Sequence, residues 1–178
     1  MHHAIPTTYN GVNFRSRLEA KYAAMFDQLG WNWEYEPVDM NGWIPDFIIR
    51  GVRPIYVEIK PIFEVAEAKL IGGDIVTALN LHHHPRVEAL ICGASLPQNS
   101  FDVPALGWLW DEWDHSWSPS HVFGLEGGGY DICSDSGSYA GRTTGTYDGG
   151  NHLHFGEADL VLMWRQAGNM VQWRRVAP

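Results

Sequence analysis

The chain has 178 residues, of which 45% are apolar, 13% aromatic and 19% charged, and that composition excludes disorder because so many aromatics offset chain entropy by burial. Twelve Lys and Arg stand against 21 Asp and Glu, a net charge of -9 with neutral His. Binding nucleic acid by bulk charge is thereby excluded, and any such role needs a local basic patch or divalent cations that cancel the carboxylates.

No run approaches the roughly 18 apolar residues of a membrane span. The opening Met1-His2-His3-Ala4-Ile5-Pro6 lacks the apolar run of a secretory signal. Only two cysteines, Cys92 and Cys133, are present. The expectation is a soluble, cytoplasmic protein without a disulfide framework.

In chain order, Phe14, Leu18, Tyr22, Met25, Phe26 and Leu29 fall at helical spacing, and Gly30 stops the helix as a C′ glycine. Trp31, Trp33 and Tyr35 alternate with polar residues up to Pro37, the pattern of a strand. Trp43 to Ile49 and Pro54 to Ile59 predict two more strands joined by a turn at Arg50-Gly51-Val52-Arg53. Residues 64–81 predict a helix that Gly72-Gly73 could split in two. Val87 to Cys92 reads as another strand.

From residue 94 the texture changes: this part holds 12 of the 19 glycines and six of the nine tryptophans. Trp108, Trp110, Trp113 and Trp117 sit among Asp111, Glu112, Asp114 and His115. Gly127 to Gly150 predicts loops or short hairpins. Ala158 to Trp164 and Met170 to Val176 read as closing strands about a turn at Ala167-Gly168-Asn169. The expected architecture is an α/β core followed by a β-rich extension packed on it.

The chemically informative pattern is Pro45-Asp46, eleven residues, then Glu58-Ile59-Lys60. Residues i and i+2 of a strand share a face, so Glu58 and Lys60 project together while Val57 and Ile59 are buried. A short hairpin brings Asp46 alongside Glu58. Two close carboxylates repel unless a cation lies between them, and hard oxygen ligands suit Mg²⁺ together with water and phosphate oxygens. A neighbouring lysine can orient or deprotonate water, or stabilise phosphate charge. The same residues alone also read as a surface ion pair at a strand end.

Asn13-Phe14-Arg15-Ser16-Arg17-Leu18-Glu19-Ala20, Trp33-Glu34-Tyr35-Glu36-Pro37, Pro45-Asp46-Phe47 and Val57-Glu58-Ile59-Lys60-Pro61 resemble, in order and spacing, the core of the PD-(D/E)xK nuclease superfamily, the restriction-endonuclease-like fold, and small phage-type members in particular. The resemblance covers residues 9–93, and residues 94–178 form the extension. It implies a mixed four-stranded sheet flanked by helices and a nuclease that hydrolyses phosphodiester bonds, in DNA, to 5′-phosphate and 3′-hydroxyl ends. It implies Mg²⁺ or Mn²⁺ held by Asp46, Glu58 and the Ile59 carbonyl, with Lys60 as catalytic lysine and Glu19 near a second metal position. It also implies a phage-encoded or prophage-like protein in a bacterial cell, and dimerisation is common among such proteins.

Glu19 has two readings. Ser16-Arg17-Leu18-Glu19 fits a capping box, but a helix starting near a cap at Asn13 leaves Glu19 in the second turn and available for metal. Arg15, Arg17 and Lys21, with Arg50 and Arg53, form a phosphate-facing set or an ordinary solvated face and turn, and Lys69 on the second helix is a further nucleic-acid candidate. Glu36 reads as a rim residue. His82-His83-His84 fits a helix C-terminus, and Cys133, His152 and His154 form a weak zinc set without regular ligand spacing.

The Trp cluster at 108–117 divides between core packing and a protein-binding surface. The rival to the nuclease is therefore a catalytically unused binding or inhibitor protein acting through this acidic, Trp-rich half.

Overall fold

The structure, a computed structural model, describes residues 4–40, 42–81, 87–100, 102–111, 114–134, 140–146 and 158–172. It opens with a hairpin that the helical spacing of Phe14 concealed: β1 (Thr7–Tyr9) pairs antiparallel with β2 (Val12–Phe14). Asn10 and Gly11 both adopt positive φ, 48° and 79°, the conformation a two-residue Asn-Gly turn requires. Phe14 thus enters the core from a strand and not from a helix.

Helix α1 (Arg17–Leu29) follows. Ser16 is its cap and accepts from the Glu19 N–H at 3.1 Å. Asn13 lies in β2 and cannot cap it, so the helix begins three residues later than the apolar spacing implies. At the far end Gly30 is left-handed, and the Trp31 N–H returns to the Phe26 carbonyl at 2.9 Å, closing the turn as a glycine stop does.

Strands β3 (Asn32–Tyr35), β4 (Phe47–Arg50) and β5 (Ile55–Ile59) form an antiparallel meander. Helix α2 (Val65–Leu79) then carries the chain across to β6 (Glu88–Cys92), which runs parallel to β5. The helix is continuous through Gly72-Gly73. Gly72 is required there by packing: a Cβ at this position would stand 2.1 Å from the indole Nε1 of Trp117. The glycine pair marks a close approach between helix and sheet, not a break.

The second half extends the same sheet. Strands β7 (Trp108–Asp111), β8 (Ser116–Gly124) and β9 (Tyr130–Ser134) add in antiparallel order beyond β6, giving seven strands in the order β3-β4-β5-β6-β7-β8-β9. The result is a mixed α/β fold with more strands than the four expected of the core alone.

The closing segment is the clearest correction. Residues 160–170, expected to hold one strand, a turn and the start of another, form helix α3 (Leu160–Met170), capped by the Asp159 carboxylate on the Leu162 N–H at 2.9 Å. Residues 173–176 of the expected last strand lie outside the described residues. Leu160, Met163, Trp164, Ala167 and Val171 make the stripe that joins the core against α1.

Two apolar layers result. α1 and α3 pack with Phe47, Ile49, Ile55, Val57, Leu90 and Cys92 on one side of the sheet. α2 packs with Ala89, Ile91, Trp108, Trp110 and Trp117 on the other. Burial of each such large side chain stabilises by about 1.5–3 kcal/mol. The three described tryptophans of the cluster are therefore core residues, each no more than 6% exposed; Trp113 lies outside the described residues. No described helix is long and apolar enough to cross a membrane.

Candidate functional site

The site forms where β4 and β5 begin and end beside the capped start of α1. The β4–β5 register pairs Phe47 with Val57, so Asp46, one step outward, stands opposite Glu58. Period-two alternation sends Val57 and Ile59 into the α1 layer, at 0% and 5% exposure, and turns Glu58 to the α2 side. Lys60 follows it there, its ammonium in contact with Glu58 Oε1. The expected projection of Glu58 and Lys60 from one face is what the strand delivers.

Asp46 is 1% exposed. Its Oδ2 accepts from the Ile59 backbone N–H at 2.7 Å and its Oδ1 from Arg15 Nη2 at 2.7 Å. Burial, then the nearby Glu58 charge, push its carboxyl up to about 6, against the Ile59 N–H and the Lys60 charge that pull it down. Glu58 is also buried, and its second oxygen accepts from the Trp43 indole N–H at 2.9 Å.

Glu19 is occupied elsewhere. Its Oε2 accepts from the Arg15 N–H at 3.2 Å and the Tyr35 hydroxyl at 2.5 Å, while Oε1 accepts from the Ser16 hydroxyl at 2.7 Å. It sits at the third helical position and serves the cap, reaching back to the residue before Ser16 in a variant of the capping box. Burial and this hydrogen bond push the Tyr35 phenol up to about 12. Glu19 therefore ties the start of α1 to β3, which fixes the backbone from which Arg15 extends.

The basic candidates part company. Arg15 bridges Asp46 and Glu36 through one nitrogen, at 2.7 and 2.8 Å. Arg17 is exposed at the first position of α1 and lines, with Ser16, Glu19, Ile59, Lys60 and Pro61, a cleft of about 410 Å³. Lys21 turns away from the carboxylates and lies over the Trp164 ring, 3.2 Å from its centroid. Lys69 is exposed on α2 above a separate hollow of about 540 Å³ that Trp110 and Trp117 line. Arg50 pairs with Glu34, and Arg53 with Glu88. Of the basic set, Arg15 meets Asp46 and Lys60 meets Glu58, while Arg17 and Lys60 line the cleft.

Among the described residues, no three His, Cys, Asp or Glu side chains are grouped so that they could hold one ion. The residues that could hold a divalent cation are the Asp46–Glu58 pair and the Ile59 carbonyl, with water and substrate oxygens completing the set, a donor type that suits Mg²⁺ or Mn²⁺. Buried, mutually repelling carboxylates fit such a group; Glu19, committed to the cap, fits it less well. His82, His83, His84, His152 and His154 lie outside the described residues, and Cys133 is a buried thiol of β9 not joined to Cys92.

Sequence reasoning missed Trp43 and Tyr35 as partners of the acidic groups. Tyr35 alternates with Trp33 and reads as core; Trp43, read as opening a strand over 43–49, instead lies before β4, which starts at Phe47, and forms a separate bridge with Met40. Comparison with models of protein families, with curated proteins and with solved structures found no match.

Proposed function

We propose that the chain is a divalent-metal-dependent nuclease that hydrolyses phosphodiester bonds, in DNA, at the Asp46, Glu58 and Lys60 site. The observation that carries this reading is the placement of two buried carboxylates opposite one another across β4 and β5, with Lys60 on the same face. The order β3-β4-β5-β6, antiparallel twice and then parallel across α2, supports a restriction-endonuclease-like core within the larger sheet.

A bound Mg²⁺ or Mn²⁺ would polarise the phosphate and lower the pKa of attacking water. Asp46 and Glu58 would hold it. The Ile59 N–H fixes Asp46 Oδ2, and the Trp43 indole fixes Glu58 Oε2, so both carboxylates are oriented before substrate arrives. Lys60 donates N–H groups at the edge of the cleft, where it can position water or stabilise charge on phosphate oxygens. Arg17 on the same cleft supplies a phosphate contact despite the net acidity of the chain.

The rival reading, a binding protein that uses its tryptophans as a contact surface, loses support because Trp108, Trp110 and Trp117 are core residues. Cleavage of linear, supercoiled, single-stranded and branched DNA with Mn²⁺ tests the proposal. Wild type should cut at least one of them, EDTA should stop it, and Asp46→Asn and Lys60→Ala should each reduce the rate by more than 100-fold, on the order expected for loss of a group acting on the transition state. Equal cutting by the variants would overturn the assignment.

A further inference from the structure

Asp46 faces an electrostatic difficulty that the sequence pattern does not resolve. It is buried, Glu58 stands opposite, and among the described residues the backbone supplies it one N–H, from Ile59. The remaining oxygen is covered by a cation from the chain itself, the guanidinium of Arg15.

Three features distinguish this contact from a structural ion pair. First, one nitrogen, Nη2, serves both Asp46 and Glu36, so the planar fork is not engaged face to face with either carboxylate, as it is where Arg50 meets Glu34 through two nitrogens. Second, the two ends of the pair are unequal: the Asp46 side chain is 2% exposed and that of Arg15 is 61% exposed. Third, the backbone beneath Arg15 is anchored, because its N–H meets both Glu19 Oε2 and the Tyr35 hydroxyl at 3.2 Å. An exposed arm on a fixed pivot can leave without disturbing the core, whereas Asp46 cannot.

We propose that Arg15 is an internal counter-cation that covers Asp46 Oδ1 and is displaced from it when a divalent cation binds. The inference rests on the reading of Asp46 and Glu58 as a metal site. It assigns Arg15 a positioning role: its single charge offsets Asp46, as that of Lys60 offsets Glu58, until a doubly charged ion takes its place beside Asp46. A guanidinium and a divalent cation at the same Asp46 oxygen repel each other, so binding of the one disfavours the other.

The test is Mn²⁺ titration, followed calorimetrically, of wild type, Arg15→Gln and Arg15→Lys, with the thermal midpoint of each measured with and without Mn²⁺. Removing the competing charge should tighten Mn²⁺ binding about fivefold in Arg15→Gln, the scale of one partly exposed charged contact. The same variant should melt lower than wild type without metal and gain more from it. A purely structural arginine would lower the melting point without tightening the metal. Should Arg15→Gln fold poorly, Arg15→Lys should still bind Mn²⁺ more tightly than wild type, because its ammonium reaches less far along the bridge. Equal or weaker Mn²⁺ binding by the variants overturns the Arg15 inference while leaving the metal site standing. Absence of Mn²⁺ binding by every protein, wild type included, removes both.

Discussion

Two groups of buried acids in this molecule are treated in opposite ways. Where the segment 140–146 is stitched to the turn at 51–53, the acids are fully met. Asp131 accepts from the N–H groups of Ile132, Thr143 and Thr144 and from the Thr144 hydroxyl, and Glu88 faces both Arg53 and Arg142. Backbone bonds from Val52 to Thr143 and from Arg53 to Arg142 close the junction, and Gly51 is needed because a Cβ there would stand 2.6 Å from the Thr143 Cα. Asp46 is buried as deeply but beside a like charge, and the cation it meets is anchored in solvent. The junction spends its charges on holding two segments together. The β4–β5 site retains an electrostatic conflict, the feature on which the proposed cation site rests.

Breaking the junction should have the largest effect. Glu88→Ala removes the buried carboxylate that both Arg53 and Arg142 face. It should cost about 3–5 kcal/mol, read as a drop in the denaturation midpoint, while Mn²⁺ binding persists below the melting temperature.

The conflict at Asp46 predicts a pH effect of opposite sign to that of an ordinary salt-bridged carboxylate. Its folded pKa of about 6 lies above its unfolded value, so the folded state holds a proton that the unfolded state releases. Stability of the metal-free protein should be full below about pH 4 on this account and fall as pH rises through 6, by on the order of 3 kcal/mol. Chemical denaturation from pH 4 to 7 should show that fall in wild type relative to Asp46→Asn, which has no such proton to lose. Saturating Mn²⁺ should remove it.

Two smaller perturbations sharpen the contrast by sparing the site. Gly72→Ala forces a methyl against the Trp117 indole and should destabilise by about 1–3 kcal/mol through overpacking. Its denaturation midpoint should fall with Mn²⁺ affinity unchanged. Lys21→Met removes the ammonium over Trp164 and should cost about 0.5–1 kcal/mol. It should leave DNA affinity as in wild type, because Lys21 faces α3 and not the cleft.

Much of this was legible in the sequence, and the failures have physical causes. The alternation of apolar Val57 and Ile59 with charged Glu58 and Lys60 let the faces of the strand be told apart directly, although β5 is buried on both sides, Glu58 included, and the hairpin geometry then placed Asp46. Leu160 to Trp164 is an unbroken apolar run, which carries no period of two or of 3.6 by itself. Its helical character appears only when Ala167 and Val171 are added and Asp159 is seen as a cap. Gly168-Asn169, which looks like a turn, is tolerated inside α3.

Phe14 misled for a related reason: it falls on the helical stripe of α1 yet enters the core from β2, and Asn10-Gly11 was the signal that a hairpin precedes the helix. Gly72-Gly73 gave the same local cue as a helix break, and only the long-range contact with Trp117 explains it. The role of Arg15 was least accessible, since a bridge across 31 residues to Asp46 depends on the fold and not on spacing.

The most direct test of the central claim is Mn²⁺ titration of wild type against Asp46→Asn and Glu58→Gln, all confirmed to be folded. Wild type should bind Mn²⁺ saturably, and each variant should lose at least about tenfold in affinity, the loss expected when a ligand of a hard-cation site is neutralised. Unchanged affinity in both variants would contradict the account, because the paired carboxylates would then not be the place where the cation binds.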